Sequence, residues 1–437
     1  MTVQELKEKV FAGEDITKEE ALFLLNADLE EISKAADEIR KKYCGNGFDI
    51  CSIINGKSGH CSEDCKFCAQ AGCYQTGQEC YPLVSTDTIM EGAKKNAKEG
   101  ALRFAVVTSG KRLSEEEIDR VCQSLSEVHK EVPIELCASF GLLEEKDFIK
   151  LKEAGVTRVH NNLESSRSYF EKMCSTHTYD EKIKTIKAAQ KVGLSVCSGG
   201  LMGIGESDED RVDMAMTLRE LGITSVPVNM LSPIKGTPLG EQKCLTEDDM
   251  RRIVAVYRFI LPKASIRLAG GRGLMEHYGM TCFTAGSNAT ITGTLLTTAG
   301  VTSKEDMNQD CGMIRKEEYW NMLRCFSKLK GYEGWLLAQM NWHVTALSGK
   351  EAKQQPNIVR AEKKYQTEEP EMETTEKPAQ INWQIQEKKK KAFATITLSG
   401  TDDGYRHEIT VLLVKPKEDF SIHVTRQPKA CGSDQPD

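Results

Sequence analysis

Between about residues 48 and 300 the chain alternates between two patterns of apolar and polar positions. Short runs rich in β-branched residues are followed by charged segments in which apolar residues recur every three to four positions. The first pattern is typical of buried strands, and the second of helices that pack one face on a sheet. We predict strands at Phe48–Ile54, Arg103–Val107, Pro133–Ala138, Thr157–Asn161, Leu194–Ser198, Ser225–Asn229, Ser265–Ala269 and Ala289–Thr292.

The predicted helices fill the gaps between these strands, for example at Ser114–Lys130, Glu144–Ala154, Tyr179–Val192 and Asp208–Leu221. Strands that alternate with helices form parallel sheets. Eight such repeats across roughly 250 residues fit an α/β fold, a (β/α)8 barrel of the TIM type. The rival is a doubly wound open sheet, but the glycine-rich phosphate loop expected after its first strand is missing.

The two ends of the chain differ from this middle part. Residues 1–44 read as N-terminal helices, and residues 45–330 as the barrel domain. Residues 331–391 are expected to form a helix and a flexible charged linker, because 348–391 is rich in Lys, Glu, Gln and Pro. Residues 392–427 read as a small β-rich appendage of three strands.

Composition narrows the class of protein. The formal net charge is −7, which gives no bulk field favouring nucleic acid or an anionic membrane. The chain has no apolar run of about 18 residues and no apolar signal region, so we expect a cytoplasmic protein. Sixteen cysteines then indicate metal ligation rather than disulfides. Six are expected to be structural: Cys122, Cys174, Cys244, Cys282, Cys311 and Cys325.

Three cysteines, Cys61, Cys65 and Cys68, follow the first strand in a C-x3-C-x2-C spacing. Thiolates are the usual ligands of iron–sulfur clusters. A cubane cluster has four irons, so three cysteines leave one iron on which a small molecule can bind and react. A closed structural site would need a fourth ligand nearby. The spacing therefore predicts a reactive cluster.

A second set of cysteines lies on predicted strands. Cys51, Cys137 and Cys197 are on the first, third and fifth strands, and Arg267 is on the seventh. Inward side chains from alternate strands of a (β/α)8 barrel share one layer. The set predicts a second, enclosed cluster, and a buried arginine needs such an anionic partner. Alternatively, the three cysteines fill the core.

Polar residues at the ends of the strands are candidate ligand contacts, because substrates bind at the carboxyl ends of barrel strands. Asn162 and Asn229 offer a donor and an acceptor that suit amide or ureido groups. Glu164 can accept hydrogen bonds from ribose hydroxyls, and His177 can neutralise a carboxylate. Each of these residues alone also fits a helix cap.

The cysteine motif and several further blocks carry a resemblance to a known family. The chain resembles the biotin synthase family of the radical S-adenosylmethionine superfamily over about residues 45–300. Besides Cys61–Cys68, the matching blocks are Arg103–Phe104, Val196–Gly200, Val226–Leu231, Lys235–Leu239, Ile266–Leu268, Gly271–Arg272 and Thr284–Asn288.

The resemblance implies a sulfurtransferase that inserts sulfur between C6 and C9 of dethiobiotin. Cys61, Cys65 and Cys68 would hold a 4Fe–4S cluster that binds S-adenosylmethionine. Reductive cleavage of that molecule would give a 5′-deoxyadenosyl radical, which abstracts the hydrogens. The implied partners are dethiobiotin, a one-electron reductant such as flavodoxin or ferredoxin, and a second copy in a homodimer, with no nucleic acid and no membrane.

The resemblance also implies roles for the polar residues. Asn162 and Asn229 match family substrate contacts, and Thr108, Asn162, Glu164 and His177 would surround S-adenosylmethionine. Glu164 stands where the family has an aspartate near the ribose. His177 stands where the family usually has an arginine.

The chain departs from the family at the sulfur-donating cluster. In the family this is a 2Fe–2S centre on three cysteines and an arginine, and Cys137, Cys197 and Arg267 match three of the four. Ala105 stands where the remaining cysteine is expected. Our hypothesis is that Cys51 replaces it, in a 2Fe–2S or a four-iron auxiliary cluster with an extra sulfide. Cys73 and Cys80 are weaker candidates for the same role.

Two other readings stay open. The loss of cysteine at position 105 could instead mean radical chemistry without sulfur insertion, as in hydrogenase maturation or methylornithine synthesis. Such an enzyme would not need paired Cys137 and Cys197 inside the barrel. A non-catalytic iron–sulfur carrier would not need the set Asn162, Glu164 and Asn229.

Overall fold

The computed structural model describes residues 1–45 and 47–293, and five further strands at Ile314–Arg315, Gln380–Lys388, Lys391–Ser399, Arg406–Leu413 and Ile422–Gln427. The chain divides into two compact units, residues 1–345 and 346–437. None of the helices in the described residues is both long and apolar enough to cross a bilayer.

The first unit contains a closed barrel of eight parallel strands, which confirms the predicted fold class. The barrel strands are β1 (Gly47–Lys57), β2 (Arg103–Thr108), β3 (Glu135–Ser139), β4 (Val156–His160), β5 (Ser195–Cys197), β7 (Ser225–Met230), β8 (Ser265–Leu268) and β9 (Ala289–Thr292). β1 pairs with both β2 and β9, so the ring has no free edge. A short strand β6 (Gly200–Met202) follows β5 and also pairs with β7. A two-residue strand β10 (Ile314–Arg315) pairs with the start of β1.

Helices alternate with the strands as the periodicity predicts. They are α4 (Thr86–Lys98), α5 (Glu115–Glu131), α6 (Glu145–Glu153), α7 (Arg167–Met173), α8 (Tyr179–Lys191), α9 (Asp208–Glu220), α10 (Glu247–Ile260) and α11 (Met280–Phe283). Several begin with a capping box. In this motif the side chain of the N-cap residue, just before the helix, accepts from the backbone N–H of the third helical residue, and that residue's side chain accepts from the N-cap N–H. Examples are Ser114 with Glu117 and Thr178 with Glu181.

Three N-terminal helices precede the barrel: α1 (Val3–Phe11), α2 (Lys18–Leu25) and α3 (Leu29–Cys44). Thr17 and Glu20 form the capping box at the start of α2. The helices α3 and α10 pack against each other, and Ile32 and Ile253 are buried in the same apolar core. The N-terminal segment is therefore part of the barrel's outer layer.

The second unit contains an antiparallel sheet in the order β11 (Gln380–Lys388), β12 (Lys391–Ser399), β13 (Arg406–Leu413) and β14 (Ile422–Gln427). The last three match the predicted strands. The linker prediction is wrong for β11, where Ile381, Trp383 and Ile385 alternate with polar residues. That period of two marks a strand even in a polar segment. The rest of the predicted helix and linker, from 331 to 379, lies outside the described residues.

Candidate functional site

The Cys61, Cys65 and Cys68 thiols lie on one loop that follows the carboxyl end of β1. The loop is fixed by its own backbone: Cys61 N–H donates to the carbonyl of Gln70 at 3.0 Å, and Cys68 N–H to the carbonyl of Cys65 at 2.9 Å. All three cysteines are free and half-buried. The structure therefore brings the predicted ligands together at the carboxyl-end mouth of the barrel.

Contacts to the segment after α7 hold this loop in place. The Asp64 carboxylate accepts the backbone N–H of Ser175 at 2.8 Å, and Tyr74 Oη donates to the Asp64 carbonyl at 2.7 Å. Burial opposes the charge on Asp64, but the hydrogen bonds from Ser175 outweigh it and lower the pKa of the carboxyl. The loop is thus anchored by an ionised carboxylate.

His177 takes part in the same anchoring. Its Nδ1 lies 2.6 Å from Glu63 Oε2 and 3.2 Å from Cys174 Sγ. Burial opposes protonation of His177, but the Cys174 sulfur and the Glu63 carboxylate raise its pKa. The predicted contact of His177 with S-adenosylmethionine stays a prediction.

Cys174, which sequence reasoning set aside as structural, borders the cluster loop. The ligand atoms of Cys65, Cys174 and His177 lie within 4.8 Å of one another. A hydrogen bond with Cys65 lowers the pKa of Cys174 to about 4, and the same contact raises the pKa of Cys65. The sequence gave no signal of this contact, because Cys174 lies far from Cys65 along the chain and meets it only through the fold.

The strand ends at this mouth carry buried polar atoms without a hydrogen-bond partner among the described residues. They are Thr108 Oγ1 at the end of β2, Asn161 Oδ1 after β4 and Ser198 Oγ after β5. Orphaned buried polar atoms are costly, and a polar ligand would satisfy them. Sequence reasoning selected Thr108 but missed Asn161 and Ser198, although both directly follow strands.

Glu164 sits on unusual backbone beside the cluster loop. Its φ is +70°, a left-handed conformation that residues with a Cβ rarely adopt. The Glu164 backbone is held by the N–H of Leu201, which donates to its carbonyl at 2.9 Å. Burial raises the pKa of the Glu164 carboxyl, while Asn162 acts against this as a hydrogen-bond partner. Such strain is typical of a ligand contact.

Asn229, at the end of β7, is tied to its neighbours. Its Nδ2 donates to the carbonyl of Gly200 at 3.1 Å, and its Oδ1 accepts from the N–H of Gly270 at 2.9 Å. A primary amide has a second N–H and a second lone pair. Asn229 therefore positions the strand ends and keeps one donor and one acceptor for a ligand.

The barrel interior brings the second cysteine set together. Cys51, Cys137 and Cys197 are at most 1% exposed. Cys51 and Cys137 share a hydrogen bond, which lowers the pKa of Cys137. Ala105 is the register partner of Cys137 on β2, and its methyl group offers no ligand atom. Cys51, on the same side of the barrel, is the thiol that contacts Cys137.

Arg267 supplies the positive charge beside these thiols. Its side chain is fully buried, and Nη2 lies 3.1 Å from Asp49 Oδ2. Nη1 donates to the carbonyl of Thr290 at 2.8 Å. Burial opposes the charge, but Asp49 and the cysteines Cys51 and Cys197 raise the pKa of Arg267. The predicted arginine therefore lies beside the cysteines.

His160 on β4 completes this interior set, and sequence reasoning assigned it no role. Burial disfavours its charge, but contacts with Cys197 and Cys137 raise its pKa to about 9. His160 is also the register partner of Cys197. The register between β4 and β5 therefore places His160 beside the thiols, and this register could not be read from the sequence.

These donors fit iron–sulfur clusters. Within the described residues, Cys65, Cys174 and His177 are the one trio whose ligand atoms lie close enough together for a single ion. The ligand atoms of Cys51, Cys137 and Cys197 do not all lie within 4.8 Å of one another. Cys73 and Cys80 are exposed, unlike the interior thiols.

Two family models match the chain. The radical SAM superfamily model covers residues 57–218, and the biotin and thiamin synthesis associated domain covers residues 227–319. The first therefore begins at the end of β1 and includes the cysteine loop. The second begins inside β7 and includes β8 and β9, with Asn229 and Arg267.

Several curated relatives are similar over most of their length. A biotin synthase from Brachyspira hyodysenteriae is 56% identical over 306 residues, which are 70% of this chain and 92% of that protein. A biotin synthase from Clostridium perfringens is 52% identical over 304 residues, 70% of this chain and 95% of that protein.

Among solved structures, the barrel is similar to a methylornithine synthase, with a TM-score of 0.57, 22% identity, and coverage of 65% of this chain and 85% of that one. A maturase of the [FeFe]-hydrogenase gives a TM-score of 0.58 at 20% identity, covering 70% of this chain and 69% of that one. These likenesses show the fold alone. The identity to the curated relatives and the two family models show that the chain belongs to the biotin synthase family of the radical SAM superfamily.

Proposed function

We propose that the protein converts dethiobiotin to biotin by inserting sulfur between C6 and C9. One observation carries the proposal: a single barrel holds an open three-cysteine loop at its carboxyl-end mouth and three enclosed thiols beside Arg267. Radical generation needs the first set, and a sulfur donor needs the second. The biotin synthase relatives support this pairing.

The cysteine loop would hold the 4Fe–4S cluster. When bound, that cluster supplies the electron that cleaves S-adenosylmethionine to a 5′-deoxyadenosyl radical. The chain's own residues fix the loop through Asp64 and Glu63. Glu164 would accept from the ribose hydroxyls, Thr108 would contact the methionine portion, and Asn162 is the hydrogen-bond partner of Glu164.

The dethiobiotin ureido group would bind Asn162 and Asn229, which offer matching donors and acceptors. The closed ring of strands surrounds the interior cysteines, because no strand edge is open. Exclusion of water and of side chains that could quench a radical is the main task of the barrel.

Cys51, Cys137 and Cys197, with Arg267, would hold the auxiliary cluster. When bound, it supplies the sulfur for the two new C–S bonds. Ala105 removes the family's usual ligand, and the contact between Cys51 and Cys137 supports Cys51 as the replacement. A 2Fe–2S centre and a four-iron cluster with an extra sulfide both remain compatible with three thiols.

Three further parts of the proposal concern the electron donor, the oligomeric state and the location in the cell. A one-electron reductant such as flavodoxin or ferredoxin would feed the exposed side of the cluster loop. A homodimer is expected from the family. A cytoplasmic location would keep the thiols reduced.

The test is an anaerobic assay of reconstituted enzyme with dethiobiotin, S-adenosylmethionine and dithionite, with both products measured by mass spectrometry. We expect biotin and 5′-deoxyadenosine from the wild type. Cys65→Ala should yield neither product, and Cys137→Ala should yield 5′-deoxyadenosine but no biotin. Cys122→Ala, on the outer helix α5, is the control and should match the wild type.

Wild-type enzyme that forms 5′-deoxyadenosine with dethiobiotin but no biotin would contradict the proposal. That result would favour a radical enzyme without sulfur transfer. Biotin formation by Cys137→Ala at the wild-type level would contradict the assignment of the sulfur donor.

A further inference from the structure

A polar group lies at the amino ends of the barrel strands, opposite the radical site. We call it the basal mouth and define it by Arg103, Thr157, Arg158, Ser195 and Ser225. Arg103 and Ser195 begin β2 and β5, Ser225 begins β7, and the other two lie near the start of β4. None of these residues has a part in the radical chemistry.

A chain of hydrogen bonds crosses the basal mouth from solvent to a buried thiol. Arg158 Nε donates to Ser195 Oγ at 3.2 Å, and Arg158 Nη1 to Ser225 Oγ at 3.5 Å. Ser225 Oγ in turn donates to Cys197 Sγ at 3.2 Å. Ser195 is exposed, whereas Ser225 and Cys197 are at most 1% exposed. This chain of hydrogen bonds therefore links Arg158 and the exposed Ser195 to the buried Cys197 thiol.

A second guanidinium approaches the same thiols from β2. Arg103 Nη1 donates to Thr157 Oγ1 at 3.2 Å, and the side chain is 16% exposed. Its Nε is buried and has no hydrogen-bond partner among the described residues. Arg103 also lies close enough to Cys137 for the thiolate to favour its charge. An unsatisfied buried donor on a cation is suited to a small anion.

The charges at the amino ends leave a positive excess. Arg103 Nη1 lies 3.7 Å from Glu135 Oε2 and Arg267 Nη2 lies 3.1 Å from Asp49 Oδ2, whereas Arg158 forms no ion pair with a carboxylate among the described residues. Arg103 and Arg158 stand on the solvent side of the cysteines, and Arg267 stands among them. An apolar plug would close the bottom of a barrel at lower cost, because buried polar groups must be satisfied. The polar lining is therefore better explained by passage than by packing.

We propose that the basal mouth binds hydrosulfide, HS⁻, and delivers it to the auxiliary cluster site at Cys51, Cys137 and Cys197. This inference rests on the proposed function, since each biotin formed removes one sulfur from the protein. Refilling is a ligand addition in which the sulfur of HS⁻ binds iron and its proton passes to water. Sulfur stays at the sulfide level, so this step transfers no electron. The other mouth is the one that the substrates occupy.

The main test measures refilling with labelled sulfide. Enzyme completes one turnover, is incubated anaerobically with ³⁴S-sulfide at several concentrations, and then receives fresh substrates. The ³⁴S content of the second biotin, normalised to the first-turnover yield, gives the sulfide dependence. Arg158→Gln should need about tenfold more sulfide, the loss expected for one charged hydrogen-bond donor. Arg167→Gln, a 59% exposed arginine on α7, is the matched control.

A second measurement needs neither cluster nor turnover. In the cluster-free protein, Cys197 is alkylated by anionic iodoacetate or neutral iodoacetamide, and each rate is normalised to that of exposed Cys73. The wild type should favour iodoacetate at Cys197, and Arg103→Gln and Arg158→Gln should each lower that preference several-fold. This readout stands even where a variant assembles no auxiliary cluster.

The outcomes separate the two proposals. Unchanged sulfide dependence in Arg158→Gln, no anion preference at Cys197, or no alkylation of Cys197 by either reagent overturns the basal-mouth proposal. Failure of the wild type to make biotin in the first turnover overturns the proposed function. The alkylation result then still decides whether the mouth admits anions.

Discussion

Glu164 shows how much depends on a single residue at the radical site. Its left-handed backbone places a half-buried carboxylate beside the Cys68 thiol. Burial and neighbouring negative charge raise the pKa of that thiol to about 11. A carboxylate in that position can accept two hydrogen bonds from adjacent ribose hydroxyls. Such a contact, which belongs to the proposed function, would explain the strain.

Replacing Glu164 by Gln should weaken S-adenosylmethionine binding. Loss of a hydrogen bond to a charged group costs about 1.5 kcal/mol or more, or roughly tenfold in Kd. Equilibrium dialysis of reconstituted enzyme measures this directly. The control is Glu153→Gln at the exposed end of α6, which should leave Kd unchanged. An unchanged Kd in Glu164→Gln would remove Glu164 from the site.

At the residue scale, the sequence predicted which thiols lie near one another better than it predicted their surroundings. Cys61, Cys65 and Cys68 follow from spacing alone, because the three thiols share one loop. Cys51, Cys137 and Cys197 follow from strand parity. The roles of His160, Cys174 and Arg158 could not be predicted, since they depend on strand register and on contacts between distant segments.

At the scale of elements, Asp210 links two helix starts. Its carboxylate accepts from Ser207 N–H at 3.0 Å at the start of α9, and from Ser168 Oγ at 3.0 Å in α7. Burial opposes its charge, but hydrogen bonds from Ser166 and Ser207 lower the pKa of Asp210 to about 2. A folded pKa below the unfolded value means that this stabilisation is present above about pH 4 and fades as pH falls towards 2.

Asp210→Asn should therefore lower the free energy of unfolding by about 1 kcal/mol at pH 7, the usual value of a helix cap. The difference from the wild type should shrink in urea unfolding at pH 3. Asp208→Asn, in the same turn but 53% exposed, is the control and should change little. An effect of Asp210→Asn that is the same at both pH values would contradict this account.

The strands and helices were predictable where the period of the apolar residues and the length of the segment indicated the same type of element. All eight barrel strands lie where the alternation placed them, because parallel strands between helices are short and apolar. The strand β11 was missed, since its polar composition outweighed the period of two at Ile381, Trp383 and Ile385. The short strand β6 was also missed, because the glycine-rich segment after the predicted strand Leu194–Ser198 is typical of a loop.

At the scale of the whole molecule, the family modules occupy only part of the chain. The second model ends at residue 319, and the Brachyspira relative is matched over 92% of its length by 70% of this chain. The first compact unit ends at Thr345. The predicted domain division at about residue 330 stays a prediction.

Truncation after Thr345 should leave cluster assembly and biotin formation within about twofold of the full chain, because the family's own length is retained. The measurements are iron and sulfide content and biotin per enzyme. Loss of either cluster in the truncated protein would show that the remaining residues contribute to the barrel.

The central claim is that Cys51 replaces the missing ligand at position 105 and so keeps a second cluster inside the barrel. The most direct test is anaerobic reconstitution with ⁵⁷Fe, followed by Mössbauer spectroscopy and iron and sulfide counts, on wild type, Cys51→Ala and the control Cys122→Ala. We predict two clusters in the wild type and the control, and selective loss of the auxiliary cluster in Cys51→Ala. A single cluster in the wild type, or an unchanged spectrum in Cys51→Ala, would contradict the claim.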